Sequence, residues 1–198
     1  MGLHVFPAPF NRSSATRPLD GAAVAVVLAA GIVTLAGCSA TRVGEPLTST
    51  LGEDAPQTQM DFWHRLTEEP VTCNDDAFHG LLLFLDGRDT AGDYDERVQA
   101  LKQRRLLAAG FDEPADFGIR RGTFAEAIVK VLKIRGGLTM HVAGPTPRYA
   151  VRELQYLRIY PRSSAHQTFS GDEFVSVIGR VEDYQRSKGI SLSQDVTP

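Results

Sequence analysis

Three stretches of the chain carry apolar residues at helical spacing. In "DDAFHGLLLFL" (75–85), Phe78, Leu81, Leu82 and Leu85 stand at i, i+3, i+4 and i+7, the pattern of one buried helix face. "FAEAIVKVL" (124–132) repeats it with Phe124, Ala127, Ile128 and Val131, and "FVSVIGRV" (174–181) with Phe174, Val177, Ile178 and Val181. Start signals precede these helices. Thr72-x-x-Asp75 and Ser170-x-x-Glu173 read as capping boxes, in which a hydroxyl and a carboxylate satisfy free backbone N–H groups. Thr123-x-x-Glu126 is the corresponding candidate in the middle copy. "GG" at 136–137 and "GPTP" at 144–147 interrupt the pattern, and "LTMHV" between them reads as a strand or a loop.

The helical segments also resemble one another. "RVQALKQRRLL" (97–107) aligns with "AVRELQYLRIY" (150–160), pairing Val98 with Val151, Leu101 with Leu154 and Leu106 with Ile159. "IRRGTFAEAIVKV" (119–131) aligns with "FSGDEFVSVIGRV" (169–181). "VTCNDDAFHGLLLFL" fits as another second half after a two-residue offset. The prediction is an all-α domain over 59–185, made of two helix-loop-helix units preceded by a half unit. One helix pair cannot bury its apolar stripe alone, so the units should pack on each other. Phe62 and Trp63 are predicted to dock the first segment onto the rest.

A different pattern precedes the domain. Residues 21–37, "GAAVAVVLAAGIVTLAG", carry no charge, and Arg12 and Arg17 lie ahead of them. A basic lead, an apolar run and small residues at its end are the parts of an export signal. At 17 residues the run is short for a transmembrane helix, and no Lys/Arg cluster follows it, which favours cleavage over a permanent span. Residues 38–58 are polar and aperiodic and read as a flexible tether, and 186–198 as a disordered tail. Loss of residues 1–37 removes two Arg and one Asp, leaving 19 basic and 23 acidic residues, a net charge of -4. This balance gives no electrostatic footprint for nucleic acid.

"LAGC", Leu35 to Cys38, closes the apolar run and resembles the lipobox of bacterial lipoproteins. The resemblance implies that the Cys38 thiol receives a diacylglyceryl group, that the signal (1–37) is cut before it, and that the acylated Cys38 holds the chain on a lipid bilayer. Two or three acyl chains suffice for stable anchoring. Ser39 is not the Asp that retains enterobacterial lipoproteins in the inner membrane, so the resemblance favours the outer membrane, with the domain periplasmic or at the cell surface. With Cys38 acylated, Cys73 has no disulfide partner and reads as a small packed residue.

The repeat is similar to S-layer homology repeats, whose second helix opens with I-T-R-A-E-F-A. "IRRGTFA" keeps Ile119, Arg121, Phe124 and Ala125, and "FSGDEFV" keeps Ser170, Glu173 and Phe174. In that family the helix-opening Arg helps to bind acidic cell-wall polysaccharide, a role that the resemblance carries to Arg121. The family's aromatic-rich D-G-T-F-x-P loop is absent, and its first-helix Gly is replaced by Arg105 and Arg158.

Catalytic constellations are not readable. His64, His79, His141 and His166 stand at no metal-ligand spacing with another His or Cys, and no G-x-S-x-G, H-E-x-x-H or phosphate-binding Gly loop occurs. In "LDGRDTAGDYDE" (85–96) the acids miss the spacing of a calcium loop, which leaves a solvated interhelix loop. Asp75 and Asp76 read as first-turn helix acids, and His79 as surface or partly buried. "RYAVREL" (148–154) has two readings. Arg148 and Tyr149 form a ligand-facing corner with Arg121, or Tyr149 anchors the loop to the core while Arg148, Arg152 and Glu153 form a surface ion network. No metal or cofactor is expected. The expected function is a non-catalytic structural or interaction module of the envelope, its partner a cell-wall polysaccharide or an envelope protein. The alternative is an enzyme or an accessory subunit with an unrecognised site.

Overall fold

A computed structural model describes residues 41–51, 56–134 and 146–190. The signal region, Cys38, "LTMHV" and His141 therefore lie outside the described residues. The fold is all-α. Its six described helices are α1 (Pro56–Glu68), α2 (Asn74–Asp86), α3 (Tyr94–Gln103), α4 (Arg121–Val131), α5 (Pro147–Tyr156) and α6 (Gly171–Lys188). The first and last thus run a few residues beyond the 59–185 expected.

Local chemistry sets the helix ends. Ser170 and Glu173 form the expected capping box of α6, and Gly189 closes that helix in the left-handed conformation at φ 61°. The cap of α2 is Cys73 and not Thr72: its Sγ accepts from the Asp76 amide. The Thr72 hydroxyl is instead buried, with no hydrogen-bond partner among the described residues. The Thr123–Glu126 box does not form, because α4 already starts at Arg121, capped by Arg120 without a side-chain bond.

Four of the described helices, α6 with Gly189 among them, end on one device, and in three of them the left-handed residue is not Gly. Arg105, Lys133 and Arg158 sit at φ 57°, 51° and 61°. The next amide in each case bonds back to the carbonyl five residues earlier: Leu106 to Leu101, Ile134 to Val129 and Ile159 to Leu154, all at 2.9 Å. This is the Schellman ending, whose left-handed residue is most often Gly. A side chain there costs about 1 kcal/mol or more. All three side chains are exposed, so nothing packs against them. Arg158→Gly should therefore raise the unfolding free energy by about 0.5–1 kcal/mol, seen as a higher guanidinium midpoint. An unchanged or lower midpoint would rule out strain at this turn.

The helices pack mainly in pairs: α2 on α3, α4 on α5, and α6 on α1, which also touches α2. The segments before α2, α4 and α6 meet through isolated antiparallel bridges, Cys73 with Gly118 and Arg120 with Thr168. Thr72 is shared: its amide donates to Phe169 O and its carbonyl accepts from Ile119 N, both at 2.9 Å. Thr72, Ile119 and Phe169 are all buried. Around them pack the rings of Phe124, Phe169, Phe174 and Tyr160, while Phe78, Tyr94 and Phe111 form a second cluster. Phe62 is fully buried with its ring edge-on to His79 of α2 at 4.6 Å, and Trp63 lies against Gly80 of the same helix, which docks α1 as expected.

Part of the stretch read as a tether is ordered against this domain. Thr41 O accepts from Gly118 N at 2.8 Å, Val43 N donates to Asp116 O at 2.9 Å, and the Arg42 guanidinium lies 4.3 Å from the Phe117 ring centre. Leu47 opens a short 3-10 turn (Leu47–Thr50) and is only 6 % exposed. The polar composition of this segment hides its apolar anchors, Leu47 and the partly buried Leu51, and a hydroxyl that enters a buried network. Among the described residues no helix is long and apolar enough to cross a membrane.

Candidate functional site

The first-turn acids of α2, Asp75 and Asp76, and Asp89 of the α2–α3 loop, a loop read as solvated from the sequence, are buried in one hydrogen-bonded chain. Asp75, Asp76 and His79 project from α2, Asp89 from the loop and Arg97 from α3, each less than 9 % exposed. Arg97 is central. Its Nε donates to Asp89 Oδ2 at 2.5 Å and its Nη1 to Asp75 Oδ1 at 2.7 Å. His79 Nδ1 lies 2.7 Å from the same Asp89 oxygen, and the Ala91 amide donates to the other at 3.0 Å. Thr48 extends the chain into the ordered segment: its Oγ1 donates to Asp75 Oδ2 at 2.5 Å and its amide to Asp76 Oδ1 at 3.1 Å. Cys73 Sγ donates to Asp76 Oδ2 at 3.1 Å.

The electrostatics follow from this geometry. Burial alone would push the Asp89 carboxyl up, but hydrogen bonds from His79 and Arg97 outweigh it and hold the group below the usual carboxylate range. Asp76 has no cation beside it among the described residues, and burial holds it above that range. Burial, with Asp76 alongside, pushes the Cys73 thiol far up, so it is an inert thiol at neutral pH. Burial opposes the charge on Arg97, yet its bonds to Asp89 and Asp75 raise its pKa. The guanidinium is thus a fixed cation between two carboxylates, and its attraction is neutralised inside the protein.

His79 and Arg97 also line a cleft of about 260 Å³ between Thr48, Thr58, Gln59 and Thr90. A His with Nδ1 bonded to an ionised carboxylate is held in one orientation, an arrangement that suits proton transfer or hydrogen bonding to a polar ligand. Among the described residues no group of His, Cys, Asp or Glu is arranged to hold a metal ion. A second cleft of about 360 Å³ lies between Leu107, Phe111, Glu126 and Pro147, where burial raises Glu126 against the opposing charge of Lys130.

The residues singled out by sequence do not converge. Arg121 is 6 % exposed. Its Nη2 donates to Glu173 Oε2 at 2.5 Å, its Nε to Thr168 O at 2.9 Å, and its guanidinium lies over the Phe169 ring at 4.7 Å. It ties α4 to the start of α6 and does not face solvent. Arg148 is exposed and Tyr149 packs against the core. The starts of α4 and α5 do adjoin, for a Cβ on Gly122 would lie 2.6 Å from Pro147 Cβ. Yet Arg121 turns inward while Arg148 stays out. The expected surface network of Arg148 and Arg152 with Glu153 does not form, and neither arginine makes an ion pair among the described residues.

The sequence reading passed over the Asp89–Arg97 pair. The one available signal was an Arg inside the first helical unit, eight residues after an Asp in a Gly-containing loop, and spacing across a loop does not reveal pairing.

No family model, curated protein or solved structure matches this chain.

Proposed function

We propose that the protein is an envelope lipoprotein, anchored through acylated Cys38, whose helical domain is a non-catalytic interaction module for cell-wall polysaccharide or another envelope protein. The observation that carries the reading is "LAGC" at the end of an uncharged 17-residue run behind two arginines. The internal use of charge supports the non-catalytic part. Arg97 is bridged by Asp75 and Asp89, which neutralise its charge, and Arg121 pairs with Glu173. The four similar Schellman endings and the bridged segments before α2, α4 and α6 support a repeated architecture. With Arg121 buried, a wall glycan would have to be met by other, exposed residues.

Mass spectrometry of the membrane-derived protein should find an N-terminal diacylglyceryl-modified Cys38, and sedimentation with purified wall sacculi should carry the protein down. An unmodified Cys38 sinks the anchor, and no sedimentation with sacculi removes the glycan partner. The second reading, an enzyme or accessory subunit, rests on the oriented His79–Asp89 pair at a polar cleft. A small-molecule binding screen in which His79→Gln abolishes a hit seen with wild type would favour it.

A further inference from the structure

We infer that the outer face of α5 lies on the headgroups of an anionic lipid bilayer. Three observations point there. First, α5 is two-sided: Ala150, Val151 and Leu154 are buried, whereas Arg148, Arg152 and Tyr156, one turn apart in succession, are exposed. Tyr156 is 82 % exposed, the most exposed of the large apolar side chains described. Second, basic charge is concentrated here. Residues 146–163 hold four arginines and one glutamate, in a chain of net charge -4 from Cys38 onward. None of Arg148, Arg152, Arg158 and Arg162 makes an ion pair among the described residues. The loop carrying Arg162 is folded back on α5 by the Gln155 amide, which donates to Pro161 O at 3.3 Å and Ser163 O at 2.8 Å. Arginines flanking a tyrosine match an anionic headgroup layer, which attracts the charge and accepts the amphipathic ring at its interface.

Third, the chain leaves little slack. The domain grips the chain from Thr41 onward through Gly118. Three residues beyond Cys38 span at most about 10 Å, where a free tether of twenty would average roughly 25 Å. The grip lies three residues before α4, whose Gly122 abuts Pro147 at the start of α5. The same short link that carries the acyl chains keeps the start of α5 close to the anchored end of the chain, and a lipid signal plus a basic patch makes a stable pair.

The inference rests on acylation of Cys38, and its test is separable from that reading. Acylated protein carrying Tyr156→Trp is reconstituted in phosphatidylcholine vesicles with and without phosphatidylglycerol, each containing a headgroup-level nitroxide lipid. Protein without the substitution supplies the Trp63 baseline. The introduced indole should be quenched on the phosphatidylglycerol vesicles. Quenching should be lost at high salt, where surface charge is screened, and in Arg148→Glu/Arg152→Glu. Arg158→Gln/Arg162→Gln, milder at exposed sites, should weaken it. Equal quenching on both vesicle types, or none on either, overturns the inference. So does binding of a soluble anionic polysaccharide through the same arginines without vesicle quenching, which would give the face to a glycan. An unmodified Cys38 in the membrane-derived protein would instead register as failure of the anchor.

Discussion

Gly171→Ala lowers the unfolding free energy by about 3 kcal/mol, at the upper end of what overpacking costs. Gly171 opens α6 where α6 meets α1, and its amide donates to Glu69 O at 2.9 Å. A Cβ built there would fall 1.5 Å from Leu66 O and 2.6 Å from Leu66 C. These are backbone atoms of a helix end that also bears the fully buried Leu66 side chain, so they cannot rotate away. Only separation of α6 from α1 relieves the clash, and that opens the packing around Phe62, Phe174 and Trp63. Denaturant unfolding of wild type and variant measures the loss, and a change below about 1 kcal/mol, the size of an ordinary surface or propensity effect, would show that the two helices do not meet as described.

Arg97→Met should cost about 3–5 kcal/mol at neutral pH, because it leaves Asp75 and Asp89 buried without their cation. Replacing the whole cluster by apolar groups would be far milder, since the cost lies in the orphaned charges and not in the loss of attraction. The pH dependence separates this cause from simple loss of packing. In wild type, Asp76 and Glu126 are held above the ordinary carboxylate range, so the fold gains stability as pH falls from neutral toward their pKa values. Asp89 and Glu173 are held below it. Their stabilisation is present above the unfolded value, 3.8 for Asp89, and is lost as pH falls through the folded one. In Arg97→Met, Asp89 lacks the guanidinium that helps to hold its carboxyl low and takes up its proton at higher pH. The deficit against wild type should therefore narrow between pH 7 and pH 4, as followed by thermal melting across that range. A deficit that stays constant would point to lost packing alone.

Much of the fold was legible because helical period and capping are local. Phe124, Ile128 and Val131, or Phe174, Ile178 and Val181, mark a buried stripe whatever surrounds them. Ser170 and Glu173 were recognisable because a capping box lies within four residues. What escaped was decided by distant partners. Thr72 was passed over for Cys73 because bridging to both Phe169 and Ile119 holds the Thr72 backbone outside the helix. The 41–51 segment looked like a linker because its side-chain anchors are two isolated leucines, Leu47 and Leu51, and one threonine. Asp89 looked solvated because nothing local shows Arg97 and His79 closing over it. Arg121 looked like a ligand-binding residue for the same reason: Glu173, which occupies it, stands 52 residues away.

The closure of α6 on α1 sets the order in which the chain can be finished. Among the described helices, the first made finds its main partner only when the last has been made, so Leu66 and Phe62 wait uncovered until Gly171 and Phe174 arrive. Contacts between the ends of a chain are slow to form, because the whole intervening loop must close first. If the protein is exported, that delay helps: a chain that cannot finish its core before its C-terminal helix emerges stays threadable during passage across the membrane. The domain would then fold only on the far side, beside the bilayer that holds it.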